Sequence, residues 1–230
     1  GNTTSADELL YSTTATLNSL LGGELPDVGL IVTSGFRDIL ETARLPSSSQ
    51  SASANQLPRR LVTLEWVSEI DARLEADGKQ RIAVDVDQVR AIAREYDAAG
   101  VSVVAVALLH SYLNAAHELE VASIFSEAAP NITVVLSSAV LPELREYERT
   151  LATALNACLI PVLDQHLDGL QSDANGNAPG VWLMQSDGGL ANAVSVAHRP
   201  LATALSGPGA AVVGMRWLGE VSGYNDIITL

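Results

Sequence analysis

The period of apolar and polar positions changes several times along the chain, and each change marks an expected element. Leu9, Leu10, Leu17, Leu20 and Leu21 fall at helical spacing and predict a helix over 5–21. Ser5 with Glu8 three residues on has the form of a capping box, and Gly22-Gly23 supplies the stop. VGLIVTS (28–34) is continuously apolar and predicts a buried strand, followed by a short helix over GFRDILETAR (35–44). PSSSQSASANQ (46–56) is small and polar and predicts a loop. RLVTLEWVSEI (60–70) alternates, predicting a strand with one exposed face. An Asp77-Gly78 turn leads to a short strand in QRIAV. Asp85 or Asp87 then caps a helix with Val86, Val89, Ile92, Ala93 and Tyr96 on one face, and Gly100 ends it.

VSVVAVALL (101–109) is the longest strongly apolar run and reads as a strand in the middle of a parallel sheet. NAAHELEVASIFSEA predicts a helix, ITVVLSS (132–138) a strand, and a long helix runs from about Pro142 to Leu170 with a break expected at Pro161. DANGNAPG (173–180) is a loop and a candidate domain boundary; VWLMQS is a strand, GPGAAVVGMRWLG a helix and DIITL a last strand. Strands alternating with helices predict an α/β fold with a largely parallel or mixed sheet and helices on both faces.

Composition narrows the function classes. In 230 residues the formal charge is −14, from 13 basic and 27 acidic side chains. Such a chain repels phosphate backbones and anionic lipid surfaces, so neither nucleic acid nor membrane is an expected partner. No run is long enough to span a bilayer and no signal peptide is visible, so the cytoplasm is the expected compartment. The single cysteine, Cys158, sits in an apolar helical run. It excludes an internal disulfide and a cysteine zinc cluster, and reads as a small buried hydrophobe. The chain starts at Gly1, which suggests a fragment, a tag scar or a processed product.

Polar residues at strand ends are the candidate chemistry, because open α/β sheets place ligands there. MQSDGGL (184–190) puts Gln185, Ser186 and Asp187 before a Gly188-Gly189 turn. LLHSYLNAAHELE (108–120) puts His110 at a strand end, with His117 and Glu118 further on; four scattered histidines form no tight cluster, and no metal site is expected. LPELREYERT (141–150) carries Arg149 in a run whose spacings give ion pairs on a helix surface. Thr13, Thr14 and Asn18 in YSTTATLN could bond back to their helix or face a cleft.

ALSGPGAAVVGM (204–215) is neither a Walker loop nor Gly-x-Gly-x-x-Gly. Pro208 suits a first helical position, with Ser206 or Gly207 as the cap. Free N–H groups there could meet an anion, but close packing of a small-residue face (Gly209, Ala210, Val213, Gly214) on a sheet is the favoured reading. No Ser-His-Asp arrangement or catalytic carboxylate pair stands out by spacing, and no catalytic residue is assigned.

Taken as an ordered set, STTATLNSLL, VGLIVTSGFRDILETAR, PRRL, ALLHSYLNAAHE, LSSAVLPELREYERT, MQSDGGL and LSGPGAAVVG resemble the A-type subunits of the hydantoinase/oxoprolinase family. That family is similar to the actin-like ATPases. The resemblance implies an ATP-dependent amidohydrolase that phosphorylates and opens a cyclic amide or imide, with a B-type partner subunit or domain. It also implies a division into an N-terminal family region (1–172) and the start of a truncated core domain (173–230). Thr13, Thr14, Asn18, His110, Arg149, Gln185, Ser186, Gly188, Gly189, Ser206 and Gly207 are the residues expected to line a substrate or nucleotide cleft.

The chain departs from the family pattern at several points. The family's two Asp-x-Gly-Gly-Thr phosphate loops are absent, and Tyr11-Ser12 replaces the usual His-Gly. Asp187 stands where the family has Asn, and the Ser-rich stretch replaces an aromatic and proline segment. ATP and magnesium are therefore expected for a full-length parent and not for these residues alone. An ATP-dependent ketone carboxylase subunit and a non-catalytic interaction module without phosphate loops are the alternatives.

Overall fold

A computed structural model describes residues 8–23, 25–42, 61–172, 180–224 and 226–228. In chain order its elements begin with β1 (Glu8–Tyr11), α1 (Ala15–Gly22), β2 (Gly29–Thr33) and α2 (Ile39–Thr42). Next come β3 (Val67–Ile70), β4 (Arg73–Leu74), β5 (Gln80–Ile82), α3 (Val86–Ala98), β6 (Val103–Ala107) and α4 (Ala116–Ala128). Then follow β7 (Thr133–Leu136), α5 (Ser137–Val140), α6 (Glu146–Ser172), β8 (Gly180–Met184), β9 (Leu190–Asn192), α7 (Ala193–Ala197) and α8 (Ser206–Ser222). The chain divides into two compact units, one of residues 25–158 and one of 1–24 with 159–230. Helix α6 contributes its first half to the former and its second half to the latter.

The 25–158 unit is built on a four-stranded, all-parallel sheet in the order β3-β2-β6-β7. β2 and β6 are its interior strands, and every residue of both is buried. That is why both read as unbroken apolar runs. On one face Ile31, Val104 and Val106 pack against Val89, Ile92, Ala93 and Tyr96 of α3 and Val121, Ile124 and Phe125 of α4. On the other face Val32 and Ala107 share a pocket with Arg149 and Thr150 at the start of α6. Asp85 caps α3 by accepting the N–H groups of Asp87 and Gln88, so of the two aspartates it is Asp85 that caps. Gly29 lets α3 approach, since a Cβ there would meet the Tyr96 ring at 2.5 Å. β4 and β5 form a separate antiparallel hairpin that turns at Gly78, whose φ is +78°.

The other unit has a mixed three-stranded sheet, β1-β8-β9. β1 runs parallel to β8, with Glu8 opposite Gly180, and β9 returns antiparallel through the Gly188 turn. Leu163 and Leu167 of α6 pack with Leu183 of β8 and Val196 of α7.

Several expected elements are corrected. Residues 8–11 are a strand and not the first turns of a helix, because pairing with β8 outweighs a local helical spacing. The helix begins only at Ala15, and Gly23, with φ of 69°, ends it. The expected Ser5 cap, the 46–56 loop, Arg44 and 173–179 lie outside the described residues. Of the helix expected over 35–44, residues 35–38 are not helical, Ile39–Thr42 are, and 43–44 lie outside the described residues. Among the described residues of 60–70 only Val67–Ile70 is strand, preceded by a 3-10 turn at Leu64–Trp66; Val67 and Ile70 are both buried.

β7 stops at Leu136 and gives way to the single turn of α5. α6 starts at Glu146 because the backbone at Arg145 is left-handed (φ 91°), and it then runs unbroken through Pro161. Leu159, Ile160 and Leu163 are buried on both sides of that proline, and their packing holds the helix where propensity would break it. α8 begins at Ser206, so Pro208 is its third residue and Leu205 its cap. Asp226, Ile227 and Ile228 belong to no strand.

Candidate functional site

In the 25–158 unit the connection after β2 leads outward to β3 and the connection after β6 leads the opposite way to β7. The carboxyl ends of β2 and β6 therefore form the switch point at which open α/β sheets hold ligands. The crevice there is walled by Val32, Phe36, Ile39, Ala107 and Leu109, with Thr33, Glu146, Arg149 and Thr150 as its polar groups.

Arg149 is 1% exposed and acts as a clamp. Its Nη2 donates to the Leu108 carbonyl at 2.8 Å and its Nη1 to the Glu143 carbonyl at 3.2 Å. Its guanidinium carbon lies 5.4 Å from the centre of the Tyr112 ring, and its Nε is buried without a hydrogen-bond partner. Burial pulls its pKa below the usual guanidinium range, against the opposing fields of Glu118, Glu146 and Tyr112.

His110 follows Leu109 in a left-handed conformation (φ 60°), and its Nδ1 is also buried without a partner. Thr33 Oγ1 accepts the Leu109 N–H at 3.0 Å, fixing the two strand ends together. The open volume of the crevice is about 10 Å³, room for one water-sized group. Through these bonds Arg149 ties the strand end at Leu108 to the Glu143 carbonyl ahead of α6.

Beside it lies a buried carboxylate that sequence reasoning missed as a structural group. Glu118 is 0% exposed. Its Oε1 accepts the Leu108 N–H at 3.0 Å and the Ser137 hydroxyl at 2.6 Å, and its Oε2 accepts the Ser138 N–H at 2.9 Å. The Ser111 hydroxyl lies 2.9 Å from Ser137 Oγ. One side chain thus ties the end of β6 to the end of β7. Cys158 is fully buried, and burial pushes its thiol up to about 12, which leaves no thiolate for nucleophilic work.

In the second unit, the carboxyl ends of the parallel pair β1 and β8 meet the start of α8. Ser206 Oγ donates to the Thr13 carbonyl at 3.0 Å and accepts from Ser12 Oγ at 3.3 Å. Thr13 Oγ1 accepts the Ala15 N–H at 3.0 Å and lies 3.2 Å from His166 Nε2, which is also 3.0 Å from the Tyr11 hydroxyl. Ser186 Oγ donates to the Ala202 carbonyl at 2.7 Å and accepts the Leu205 N–H at 3.0 Å.

Gly209 sits directly on the β8–β9 turn, where a Cβ would come within 3.0 Å of the Gln185 carbonyl oxygen. Close packing is therefore what the glycine of this loop serves, but of the four-residue face expected to pack, Val213 is 45% exposed and Gly214 has open space around it. Gly207 lies near Thr14, and Gly188 turns the chain with φ of 85°.

Of the residues expected to line a cleft, Thr13, Gln185, Ser186, Gly188, Gly189, Ser206 and Gly207 stand at these loops of the second unit. Thr14 and Asn18 bond to each other at 3.3 Å on the exposed surface of α1. His110 and Arg149 belong to the other unit. Sequence reasoning missed Thr33, Tyr112, Ser137 and His166, each of which is placed by a partner remote in sequence. Among the described residues no group of three His, Cys, Asp or Glu side chains could hold a metal ion, and no helix is long and apolar enough to cross a membrane.

Comparison with known proteins decides the family. Residues 1–129 match the family model of the hydantoinase/oxoprolinase N-terminal region, and residues 149–230 match that of hydantoinase/oxoprolinase. The chain belongs to the hydantoinase/oxoprolinase family. It is 28% identical over 230 residues to the caprolactamase alpha subunit of Pseudomonas jessenii, covering 97% of this chain and 33% of that one. It is 31% identical over 225 residues to 5-oxoprolinase 1 of Arabidopsis thaliana, covering 88% of this chain and 17% of the relative.

The crystal structure of the ATP-dependent caprolactamase from Pseudomonas jessenii superposes with a TM-score of 0.84 at 27% identity, over 94% of this chain and 32% of that one. The nucleotide-free structure of acetone carboxylase gives 0.77 at 27% identity, over the same shares. The α/β fold of this family member is thus shared with both. The chain spans about a third of the length of the caprolactamase subunit and less of the oxoprolinase.

Proposed function

We propose that this family member is part of an ATP-dependent amidohydrolase that phosphorylates and opens a cyclic amide or imide of the 5-oxoproline or hydantoin type. The observation that carries the reading is the match to two hydantoinase/oxoprolinase models along 1–129 and 149–230, joined to the superposition on a caprolactamase. An amide carbonyl in a small ring is a poor electrophile. Phosphoryl transfer to its oxygen makes the carbon electrophilic; water adds there, the C–N bond breaks with a proton going to the nitrogen, and a second water hydrolyses the resulting acyl phosphate to carboxylate and inorganic phosphate. For a lactam the product is an open-chain amino acid.

These 230 residues contain no Asp-x-Gly-Gly-Thr loop, so nothing on them is assigned to ATP or magnesium. Both belong in this reading to the whole protein. A B-type subunit or domain is the proposed partner, in keeping with relatives named as subunits. Matches to acetone and acetophenone carboxylase subunits support a second reading, a ketone carboxylase.

The test is to express the whole gene product with its partner subunit and measure ADP release. Release that depends on 5-oxoproline, hydantoin or caprolactam supports the amidohydrolase. Release that depends on a ketone with bicarbonate replaces it with the carboxylase, and dependence on neither leaves the interaction module.

A further inference from the structure

We propose that the bare apolar side of α8 is the docking surface for the further polypeptide that longer members of this family carry outside the part matched here. The proposal rests on the reading of these residues as part of a larger protein, and not on which reaction that protein performs.

α8 is anchored to its own unit at its start. Ser206 bonds to the Thr13 carbonyl, and Gly209 sits on the Gln185 carbonyl of the β8–β9 turn. Beyond that, from Ala211 to Ser222, every residue except Gly219 is exposed. Val213, Trp217 and Val221 repeat at a spacing of four and Leu218 precedes Val221 by three, so the four share one side of the helix. Trp217 is 63% and Val221 66% exposed.

Two other sides of this stretch already have their environment. The only charges of α8, Arg216 and Glu220, pair at 2.9 Å along a solvated stripe. After the Gly223 cap the chain turns back, so that the Tyr224 N–H donates to the Gly219 carbonyl and Ile227 lies against Gly219. What is left is a tryptophan, a leucine and two valines on one side of an amphipathic helix, the pattern of a face that packs.

The size of the face selects its occupant. From Val213 to Val221 it is about 12 Å long on a helix roughly 10 Å across, which gives a few hundred Å² at most. A second copy or a separate subunit needs about 800 Å² per partner for a stable contact. Polypeptide continuous with the chain needs much less, because its docking is intramolecular, at an effective concentration on the order of millimolar. Relatives carry such polypeptide: this chain matches 33% of the caprolactamase alpha subunit, so two thirds of that subunit lies outside the match. The covering element is apolar where it meets Trp217 and Val221, and polar where it borders Arg216 and Glu220.

The experiment is thiol labelling of Val221→Cys in this chain and in the whole gene product. Cys158 is fully buried, so the introduced thiol is the one that reacts in the native state. Maleimide is expected to label this chain at the rate of a free thiol, and the whole gene product at least tenfold more slowly. Trp217→Glu is expected to leave the melting temperature of this chain unchanged and to lower that of the whole product. If that variant of the whole product does not fold, the labelling ratio decides. Equal labelling rates in the two proteins overturn the proposal. So does slow labelling of this chain that dilution relieves, which assigns the face to a second copy. Protection of the whole product only after a B-type subunit is added also overturns it and assigns the face to that subunit. The two readings fail separately. Cyclic-amide-dependent ADP release with Val221→Cys unprotected removes only this docking surface, and protection without such release removes only the amidohydrolase.

Discussion

His117 shows what burial does to a single titratable group. It lies in the first turn of α4, 2% exposed, with Nε2 at 3.1 Å from Gln80 Oε1. Desolvation lowers its pKa below the ordinary imidazole value of 6.5, against a smaller opposing effect of Glu120. The unfolded chain therefore binds this proton at a higher pH than the folded one. Stability from this residue is complete above about pH 6.5 and falls as the pH drops toward the lowered folded value, by at most about 1.4 kcal/mol per pH unit. Urea melts across this range are expected to show that slope in the parent and a flatter one in His117→Gln; identical slopes would remove His117 as its source. His110 is legible as a strand-end polar residue, whereas Arg149 reads from its spacing as part of a charged helix surface and is instead buried, and the knot around Glu118 is not legible. An acidic residue in a first helical turn reads as a surface group favoured by the helix dipole. Only the convergence of Leu108, Ser137 and Ser138 on it reveals a buried acceptor.

For whole elements, continuous apolar runs were the clearest signal, and β2 and β6 lie where VGLIVTS and VSVVAVALL place them. Residues 8–11 were misread because the signal for their strand resides in β8, far along the chain. The helix α8 was legible, but not the role of each of its small residues. Gly209 abuts backbone that cannot rotate away, while Gly214 faces open space. Gly209→Ala is expected to cost about 1–3 kcal/mol by crowding the Gln185 carbonyl. Gly214→Ala is expected to be neutral or to stabilise by up to about 1 kcal/mol through helix propensity. Thermal melts of the two variants measure the contrast, and equal shifts would show that the close approach at Gly209 carries no constraint.

At the scale of the whole molecule, the two units differ in how their sheets are assembled along the chain. The 25–158 unit is continuous, whereas the other pairs β1 (residues 8–11) with β8 (residues 180–184), with the whole 25–158 unit between them in sequence. Long-range pairing is slow because the closure entropy of the intervening chain comes before any contact is made. Pulse-labelled hydrogen exchange during refolding is expected to protect the amides of β2 and β6 before those of β1; simultaneous or earlier protection of β1 would contradict this order. Synthesis imposes the same order by time. At about 5–20 residues per second, Glu8–Tyr11 waits on the order of ten to thirty seconds before Gly180–Met184 has been made. For that interval the segment ELLY carries two leucines on a strand edge that lacks its β8 partner. Its pairing with β8 waits until translation has passed Gly180–Met184, so the pace of the ribosome sets how long that edge stays available to chaperones and to other nascent chains.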